Sequence, residues 1–520
     1  MPKLKPEEIW SEYQKGNEYL QRNDIFNIVK TNEDFYEGKQ WGGLNNGSMP
    51  TPVFNVLQRA GKWMVATISS NDIAISMIPF SELADDIQRM QPISQEIENI
   101  IEIAKIKEAS KLVIRNAFVD GSGYMMQSFN PNFETMQDVK GRVENQVIDN
   151  TNVIFGNPYS RDIQGQPYII VTLRQHISQV KEEAKRLGVS KENIELINAE
   201  NEHLQVNDDS DNLVTVLLKF YKENGNVWFT KTTQNVTLIK PTDLGYKRYP
   251  ISCFGWDSIK NSYLYSSPMT SVIPNQVFIN KSYAIAQMYG LQSAFPKILF
   301  DKSKVNIDEF LNGTSPQAVA GLDLAGKYMD FIKIPDFSNN ILQLASDVIS
   351  QTKDCLGVTD ASLGNVRPDN TSAIVALQES SSVPLEIQKQ NFFEFWEDTV
   401  RNILDIVACS YGVRQVMTED NQLAVVDFDM LKGLNYNLKV EIGNGAQFSE
   451  VAQIQTLDKI AQAGWIDPDV YMEAIPSKYI PQKAKLIESY RAKMAQLAQQ
   501  GLPMETQSRG STNADDTVPL

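Results

Sequence analysis

The sequence predicts a mixed α+β protein, and three observations support this. Apolar residues recur at three- and four-residue steps in several segments, as they do on one face of a helix. Between about residues 124 and 257, runs of β-branched and aromatic residues alternate with turns such as "ENGN", residues 223–226. Two further helical segments, starting near Pro274 and Ser338, flank a short insert that contains two strand candidates.

The first 120 residues should be mainly helical. We expect one charged helix over 6–37, a second over about 53–69, and a long one over roughly 86–119, ended by "DGSG" at Asp120 to Gly123. The stretch "AISMIPF", residues 74–80, has the composition of a short buried strand.

The β-rich region begins with the strand candidates "YMMQSFN", "VENQVIDNTNVIFG" and "YIIVTLRQ". A surface helix, "ISQVKEEAKRLG", follows and ends at Gly188. Residues 213–240 then predict a meander of three strands, because "ENGN" is a typical hairpin turn. We expect "RYPISCFGWD", residues 248–257, to close this meander.

The next segment predicts two helices around an insert. Pro274 suits the first turn of a helix, with Thr270 or Ser271 as the cap. "FPKILFD" and "YMDFIKIP" should be short strands on either side of a small α/loop insert, residues 301–327. Ser338 would cap the second helix, and Gly357 would end it.

The stretch "GNVRPDNTSAIVALQESSSVP", Gly364 to Pro384, begins as a polar loop. An active-site lid, a simple turn and a pore-lining loop are all compatible with it. A helix should run from about 372 to 412, with a kink or break near Pro384. Residues 421–447 are β-prone, two helices should follow, and the last twenty residues lack core-forming side chains and are expected to be disordered.

Composition excludes several functions. The 520 residues carry a net charge of −16, which argues against tight sequence-independent binding of nucleic acid. Only two histidines occur, which excludes most zinc sites and most histidine-based acid–base mechanisms. We expect no transmembrane helix anywhere in the chain, and the charged start "MPKLKPEEIW" does not resemble a secretory signal.

The three cysteines, Cys253, Cys355 and Cys409, lack CxxC spacing and should be buried thiols in a reducing compartment.

One motif suggests nucleotide chemistry. "GLDLAGKY", Gly321 to Tyr328, fits the GxxxxGK frame of a phosphate-binding loop. Tyr328 stands where a small hydroxyl should bind Mg²⁺, and Asp323 would place a negative charge beside the phosphates. The residues after Lys327 also suggest a strand where that motif needs a helix, so a turn before a strand is the better interpretation.

The other candidates have ordinary interpretations. "NDDSDN", residues 207–212, lacks the glycine and the closing glutamate of a calcium loop. His176 and His203 lie in polar segments and should be surface residues. The aromatic residues after Pro384 have helical spacing and should be core; they are Phe392, Phe393, Phe395 and Trp396. We therefore expect no catalytic residue, no metal and no cofactor.

The stretch "LGVTDASLGNVRPDNTSAIVALQES" resembles the portal proteins of tailed bacteriophages. Many of these carry a similar Gly-Val, then Gly, Pro, a Ser/Thr pair and an Ala/Ile/Leu-rich helix. The matching residues are Gly357-Val358, Gly364, Pro368, Thr371-Ser372, Ala373, Ile374 and Leu377. Family members often have Gly where this chain has Ala373, which stiffens the start of the helix and leaves the loop boundary open.

Other segments resemble the same family from about Asn55 onward. "YSSPMTSVIPNQVFINKSYAIAQMYG" and "SNNILQLASDVISQTKDCLG" are similar to the two stem helices, and the insert between them to the clip. The resemblance implies a wing (1–259), first stem helix (260–292), clip (293–337), second stem helix (338–356), tunnel loop (357–372), kinked helix with return to the wing (373–447), crown helices (448–500) and disordered tail (501–520).

The resemblance also implies a function and partners. It implies a homo-oligomeric ring, usually of twelve copies, at one capsid vertex of the virion, assembled in the host cytoplasm and without membrane contact. Double-stranded DNA would pass through it, driven by the terminase large subunit. Head-completion or adaptor proteins would replace the terminase after packaging. The major capsid and scaffolding proteins would surround the ring.

The resemblance further assigns candidate residues. The tunnel loop that meets DNA would comprise Gly364, Asn365, Val366, Arg367, Pro368, Asp369 and Asn370. Clip contacts to terminase or adaptor would come from Lys297, Lys302 and Lys304, for which a solvated face is the plainer interpretation. The alternatives are a nucleotide-dependent motor using the GxxxxGK loop and another virion adaptor or minor capsid protein.

Overall fold

The structure is a computed structural model. It describes residues 5–42, 49–70, 72–79, 84–134, 140–198, 212–294, 298–301, 318–321, 329–331, 340–358, 383–417, 423–433 and 436–443, with single positions at 457, 459, 461, 471 and 489. The chain divides into two compact units, Met1–Ser69 with Ile73–Glu441, and Ser70–Asp72 with Ile442–Leu520. The elements below belong to the first unit, apart from Asp72, Ile442 and Gly443 at the ends of two strands. The predicted C-terminal helices and tail lie outside the described residues, apart from those single positions.

The N-terminal region is helical, as expected, but with more breaks. The helices are α1 (Pro6–Arg22), α2 (Ile25–Glu37), α3 (Val56–Ile68), α4 (Ala84–Ile103) and α5 (Ile106–Asp120). The single helices predicted over 6–37 and 86–119 are therefore wrong. Asp24 and Lys105 have left-handed backbones, with φ of 56° and 52°, and such a residue interrupts the helical hydrogen bonds.

A five-stranded antiparallel sheet contains the predicted meander. Its strands are β4 (Val153–Phe155), β5 (Tyr168–His176), β6 (Leu213–Glu223), β7 (Asn226–Thr232) and β8 (Thr237–Asp243), paired in that order. Asn224 and Gly225 both have positive φ, so the "ENGN" turn is confirmed. Helices α6 (Ile177–Arg186) and α7 (Lys191–Glu195) stand between β5 and β6.

A second sheet has three antiparallel strands in the order β3-β2-β9: β2 (Ser122–Asn130), β3 (Arg142–Asp149) and β9 (Ile251–Gly255). The prediction that "RYPISCFGWD" closes the meander is wrong, because β9 pairs with β2. Gly121 makes the α5–β2 turn with φ +95°, and a Cβ there would overlap the carbonyl oxygen of Tyr265. Only glycine lets the chain enter β2 so close to that backbone.

The paired helices and their insert are present. Helices α8 (Ile273–Ala294) and α9 (Asn340–Cys355) flank β12 (Ile298–Asp301), β13 (Ala318–Gly321) and β14 (Met329–Phe331). Pro274 lies in the first turn of α8, and both expected short strands are present as β12 and β14. The structure adds that β12 and β14 pair antiparallel. The sequence did not reveal β13, which pairs parallel to β12; its residues "AVAG" are too few and too small to signal a strand. Short strands β10 (Asp257–Ser258) and β11 (Tyr265–Ser266) precede α8.

The last described helix is α10 (Glu386–Ser410), followed by β15 (Val413–Met417), β16 (Leu423–Asp427) and β17 (Tyr436–Gly443). Pro384 lies in a 3₁₀ turn, Val383–Leu385, immediately before α10. Strand β17 pairs with β1 (Asp72–Pro79), and β15 pairs with β16. Residues 372–382 of the predicted kinked helix lie outside the described residues.

Three minor expectations have mixed outcomes. Cys355 is exposed, so the prediction of three buried thiols is wrong; it is the last residue of α9. The other two cysteines, Cys253 and Cys409, are partly buried.

His176 is exposed and caps α6 by accepting from the backbone N–H of Ser178. Among the described residues, no helix is long and apolar enough to cross a membrane.

Candidate functional site

The residues that the sequence singled out for function fall outside the described residues. This holds for the loop residues Gly364, Asn365, Val366, Arg367, Pro368, Asp369 and Asn370, and for Lys297, Lys302 and Lys304. Their assignments stay predictions. What the structure describes is the set of helices and strands that hold the ends of these segments.

The two ends of the segment 359–382 are held side by side. Gly357 has φ +70°, and a Cβ on it would lie 2.9 Å from the Cβ of Pro384. The residues on either side, Leu356, Val358 and Leu385, are 6%, 1% and 3% exposed. The segment therefore leaves the core and returns to it at one point, which we call the loop base. The sequence marked Gly357 and Pro384 as a helix end and a helix break, and did not indicate that they touch.

Helix α10, which follows the loop base, is fixed to β9. Phe392 and Phe395 stack on each other, and both meet Phe254 of β9 edge-on, with ring centroids 6.1 and 6.5 Å away. The hydroxyls of Thr399 and Ser252 lie 2.8 Å apart beside them. Three of the four aromatic residues at the start of α10, Phe392, Phe395 and Trp396, are at most 2% exposed, which confirms the prediction of a core.

Helices α8 and α9 pack on each other around one buried hydroxyl. Thr352 is fully buried; its Oγ1 accepts from Asn275 Nδ2 at 3.1 Å and donates to the carbonyl of Val348 at 2.7 Å. Since a buried hydroxyl without partners costs about 1–3 kcal/mol, these bonds favour one register of the two helices.

The inner face of α8 is held by buried amides. Gln276 and Asn280 are 0% and 3% exposed. Gln276 donates to the carbonyl of Phe54 at 2.8 Å and accepts from the N–H of Val56 at 3.1 Å. Asn280 accepts from the N–H of Phe54 and donates to Gln40 Oε1 at 2.5 Å. We call these residues the amide clamp; the only sequence signal for it is two amides four residues apart on an otherwise apolar face.

Other faces of these helices carry exposed apolar side chains. Phe278, Ile285 and Leu291 of α8 are 38%, 45% and 55% exposed, and Leu344 of α9 is 51% exposed. Val383 and Ile387, at the loop base, are each 67% exposed. Within the described part of the chain, much of their surface has no cover.

The nucleotide motif gains no support. Strand β13 ends at Gly321, and the strand β14 begins at Met329, directly after the motif. A strand follows where a phosphate-binding loop needs a helix, which confirms that part of the prediction. Lys327 and His203 lie outside the described residues, as does "NDDSDN" apart from Asn212, which lies in a turn. The described residues contain no group of three or more His, Cys, Asp or Glu that could hold a metal ion.

Comparison with known families decides the assignment. A family model described as "Phage P22-like portal protein" matches residues 171–430, half of the chain. The chain belongs to the P22-like phage portal protein family. The match runs from β5 to β16 and so includes α8, α9, the loop base and α10. No curated protein matches the chain.

Portal proteins of this family are structural proteins of a bacteriophage capsid vertex that serve DNA packaging. They act as oligomeric rings with capsid and terminase partners. The resemblance inferred from the sequence is thereby confirmed at the level of the family.

A buried carboxylate lies where the helical part of this portal subunit meets the chain leading into α8. Asp120 ends α5, is 9% exposed, and its Oδ1 has no hydrogen-bond partner among the residues that the structure describes. The same end of α5 is linked to the start of α8, because Ser267 donates to the Phe118 carbonyl at 2.7 Å. Asn32 also donates to both the Val119 carbonyl and Thr270 Oγ1.

The surroundings of Asp120 are unfavourable for a negative charge. Burial, together with a smaller contribution from the negative charge of Glu33, raises the pKa of Asp120 to about 7. The positive charge of Arg115 lowers the pKa of Asp120, but Arg115 is also ion-paired with Glu33. The nearby carboxylate of Asp149 raises the pKa of Asp120. The side chain therefore holds its proton in the folded protein at a pH where an unfolded aspartate has lost it.

We predict that this proton makes stability pH-dependent. Because the pKa is raised on folding, the contribution of Asp120 to the free energy of unfolding is full below about pH 4. It falls by about 1.4 kcal/mol per pH unit until about pH 7. Asp120→Asn should flatten this slope, and at pH 8 the variant should be more stable than the original chain in urea unfolding. The matched control is the exposed Asp347→Asn; if Asp120→Asn changes the slope no more than this control, the assignment is wrong.

Proposed function

We propose that this chain forms a closed ring of twelve subunits at one vertex of the virion capsid. The ring is the channel for double-stranded DNA during packaging by the terminase large subunit and during ejection. It is also the attachment point for head-completion or adaptor proteins, and the major capsid and scaffolding proteins surround it. The observation that carries the proposal is the exposed apolar surface of α8 and α9, in a chain that matches the portal family.

The exposed side chains support a ring because of their arrangement. Isolated apolar residues on a surface are ordinary, but Phe278, Ile285 and Leu291 recur along one helix and Leu344 lies on its partner. Phe278 and Ile285 are seven residues apart on one side of α8, and the amide clamp covers the opposite, inner side, so these two side chains cannot be buried there. A neighbouring copy would bury them in each interface of a closed ring.

Net charge supports a channel through which DNA slides. A ring of twelve chains of net charge −16 carries on the order of 200 negative charges before counterions bind. Such a wall repels phosphate, so DNA makes few lasting contacts. The brief contacts that remain are proposed for the tunnel loop, Gly364–Asn370, where Arg367 stands beside Asp369.

The loop base supports this role for the tunnel loop. Its two ends are held together by buried residues just after α9 and just before α10, so contacts made by the tunnel loop need not disturb the subunit core. The residues of α10 that fix it are aromatic and buried, and none is needed for chemistry. A projecting segment on a rigid base suits contact with a sliding polymer.

The ring is tested by native mass spectrometry and end-on electron microscopy of the purified chain. We expect rings, and we expect Leu344→Asp to reduce their yield strongly, since a charge on that face would have to be desolvated in every interface. Leu196→Asp is the matched control, because Leu196 is also 51% exposed but lies beyond α7. A chain that stays monomeric at every concentration, with no ring in the images, contradicts the proposal.

The tunnel loop is tested by deleting Asn365–Asp369. We expect rings to form as before, because the loop base remains, while the yield of filled heads falls. Replacing the five residues with a Gly/Ser segment of the same length separates the effect of length from that of the side chains. Normal packaging and normal DNA retention by the deletion variant would refute this assignment.

The clip contact is tested by reversing the charge at Lys302 and Lys304. If these side chains meet acidic groups on the terminase, the double change to Glu should weaken binding of the terminase large subunit by about tenfold. Ring formation should not change, and Lys191→Glu on α7 serves as the control. Equal terminase binding by the variant and the original chain would remove the assignment.

A further inference from the structure

An acidic cleft lies beside the first turns of α10. It has a volume of about 720 Å³ and lies between residues 161–164, strands β9 to β11 and α10. Its aromatic lining consists of Trp256, Tyr265 and Phe395. The cleft also contains four carboxylates against two guanidinium groups: Asp162, Asp257, Glu394 and Asp398 against Arg161 and Arg248. We call it the acidic cleft.

The cleft has an excess of negative charge that its own subunit does not neutralise. Arg248 is engaged by Asp398, with Nη2 and Oδ1 2.5 Å apart. Asp257 and Glu394 take part in no side-chain hydrogen bond or ion pair within the described part of the chain. Partial burial raises the pKa of Asp257, as expected for a carboxylate that lacks a cation. Two carboxylates beside aromatic rings are suited to an ammonium or guanidinium group.

The rim of the cleft indicates a protein occupant. Ile387 lines the cleft, and Val383 lies one turn before it; both are 67% exposed. A free small cation would satisfy the carboxylates and leave this apolar surface in water. A protein face that carries a basic side chain between apolar ones would cover both.

Such a face exists on the same chain. Phe278, Lys281 and Ile285 follow one another at three- and four-residue steps, so they lie on one side of α8. The two apolar side chains are 38% and 45% exposed. Lys281 is exposed and has no ion pair within the described residues. We call these three residues the outer stripe.

The two faces complement each other in charge and in apolar content. A cyclic ring needs two different faces on each subunit, since every interface joins one face to the other. Resting on the ring proposed above, we propose that the acidic cleft of one subunit receives the outer stripe of a neighbouring copy. Lys281 then pairs with Glu394 and Asp257, while the apolar members of the stripe cover Val383 and Ile387.

Charge reversal tests this pairing in the full-length chain. Lys281→Glu and Glu394→Lys should each raise the concentration for half-maximal ring formation by about tenfold, because attraction becomes repulsion at every interface. The double variant should return to within about threefold of the original chain. Lys191→Glu and Glu192→Lys on α7 are matched controls, since both side chains are exposed. Circular dichroism of the monomers shows whether each variant is folded.

A cross-link gives a second measurement that does not depend on assembly strength. Cys253 also lines the cleft, so the background is Cys253→Ser with Cys355→Ser. In it, Lys281→Cys combined with Glu394→Cys should give disulfide-linked neighbours after oxidation in air with a copper catalyst. Either cysteine alone should not. Cross-linked ladders up to the full ring support the pairing.

The outcomes separate this inference from the ring itself. If the original chain forms rings while the single reversals assemble equally well, or the double variant does no better than the singles, the pairing is wrong and the ring stands. Rings without cross-links in the cysteine pair lead to the same conclusion. If the original chain forms no ring at all, the proposed function is wrong and this pairing falls with it.

Discussion

The amide clamp on α8 is the constraint on which the rest of the described subunit depends. Gln276 and Asn280 are buried, and both find partners on residues 40–56. Because an unsatisfied buried amide costs about 1–3 kcal/mol, rotation of α8 by even a fraction of a turn is unfavourable. The clamp therefore fixes which side of α8 meets α9 through Thr352 and which side is left exposed. A helix with amides facing inward and Phe278 and Ile285 facing outward is built to be covered from both sides.

The same logic extends to the loop base. Helix α9 is positioned by α8, and α10 is positioned by its aromatic contacts with β9. These two packing interactions are independent of each other. The end of α9 and the start of α10 come together at the loop base, where Gly357 packs against Pro384. The two ends of the segment 359–382 are thus positioned by two elements that are each anchored in the core.

The sequence predicted most element types because their periodicity is local. The meander, the surface helix α6 and the pair α8 and α9 were all visible from spacing and turn residues. The missed break at Lys105 has no local signal, because lysine seldom enters the left-handed region, whereas Asn23-Asp24 gave a weak one, because aspartate enters that region more readily. The pairing of β9 with β2 and the contact of Gly357 with Pro384 are long-range, and a single sequence does not carry them. The same holds for the amide clamp, whose partners lie more than 200 residues away.

Charge distribution links these packing rules to assembly. Several basic side chains are used up inside the subunit: Lys219 pairs with Glu12 and Lys231 with Glu183, both lysines being at most 8% exposed. Each of these pairs also removes one negative charge, so the remaining side chains still carry the net charge of −16 and copies of the chain repel one another at long range. Association then requires short-range contacts strong enough to overcome that repulsion. Exposed apolar side chains supply part of the attraction. In the pairing proposed above, Lys281 facing the acidic cleft supplies further attraction. It also fixes which faces meet, because charge pairing discriminates between faces where apolar burial does not.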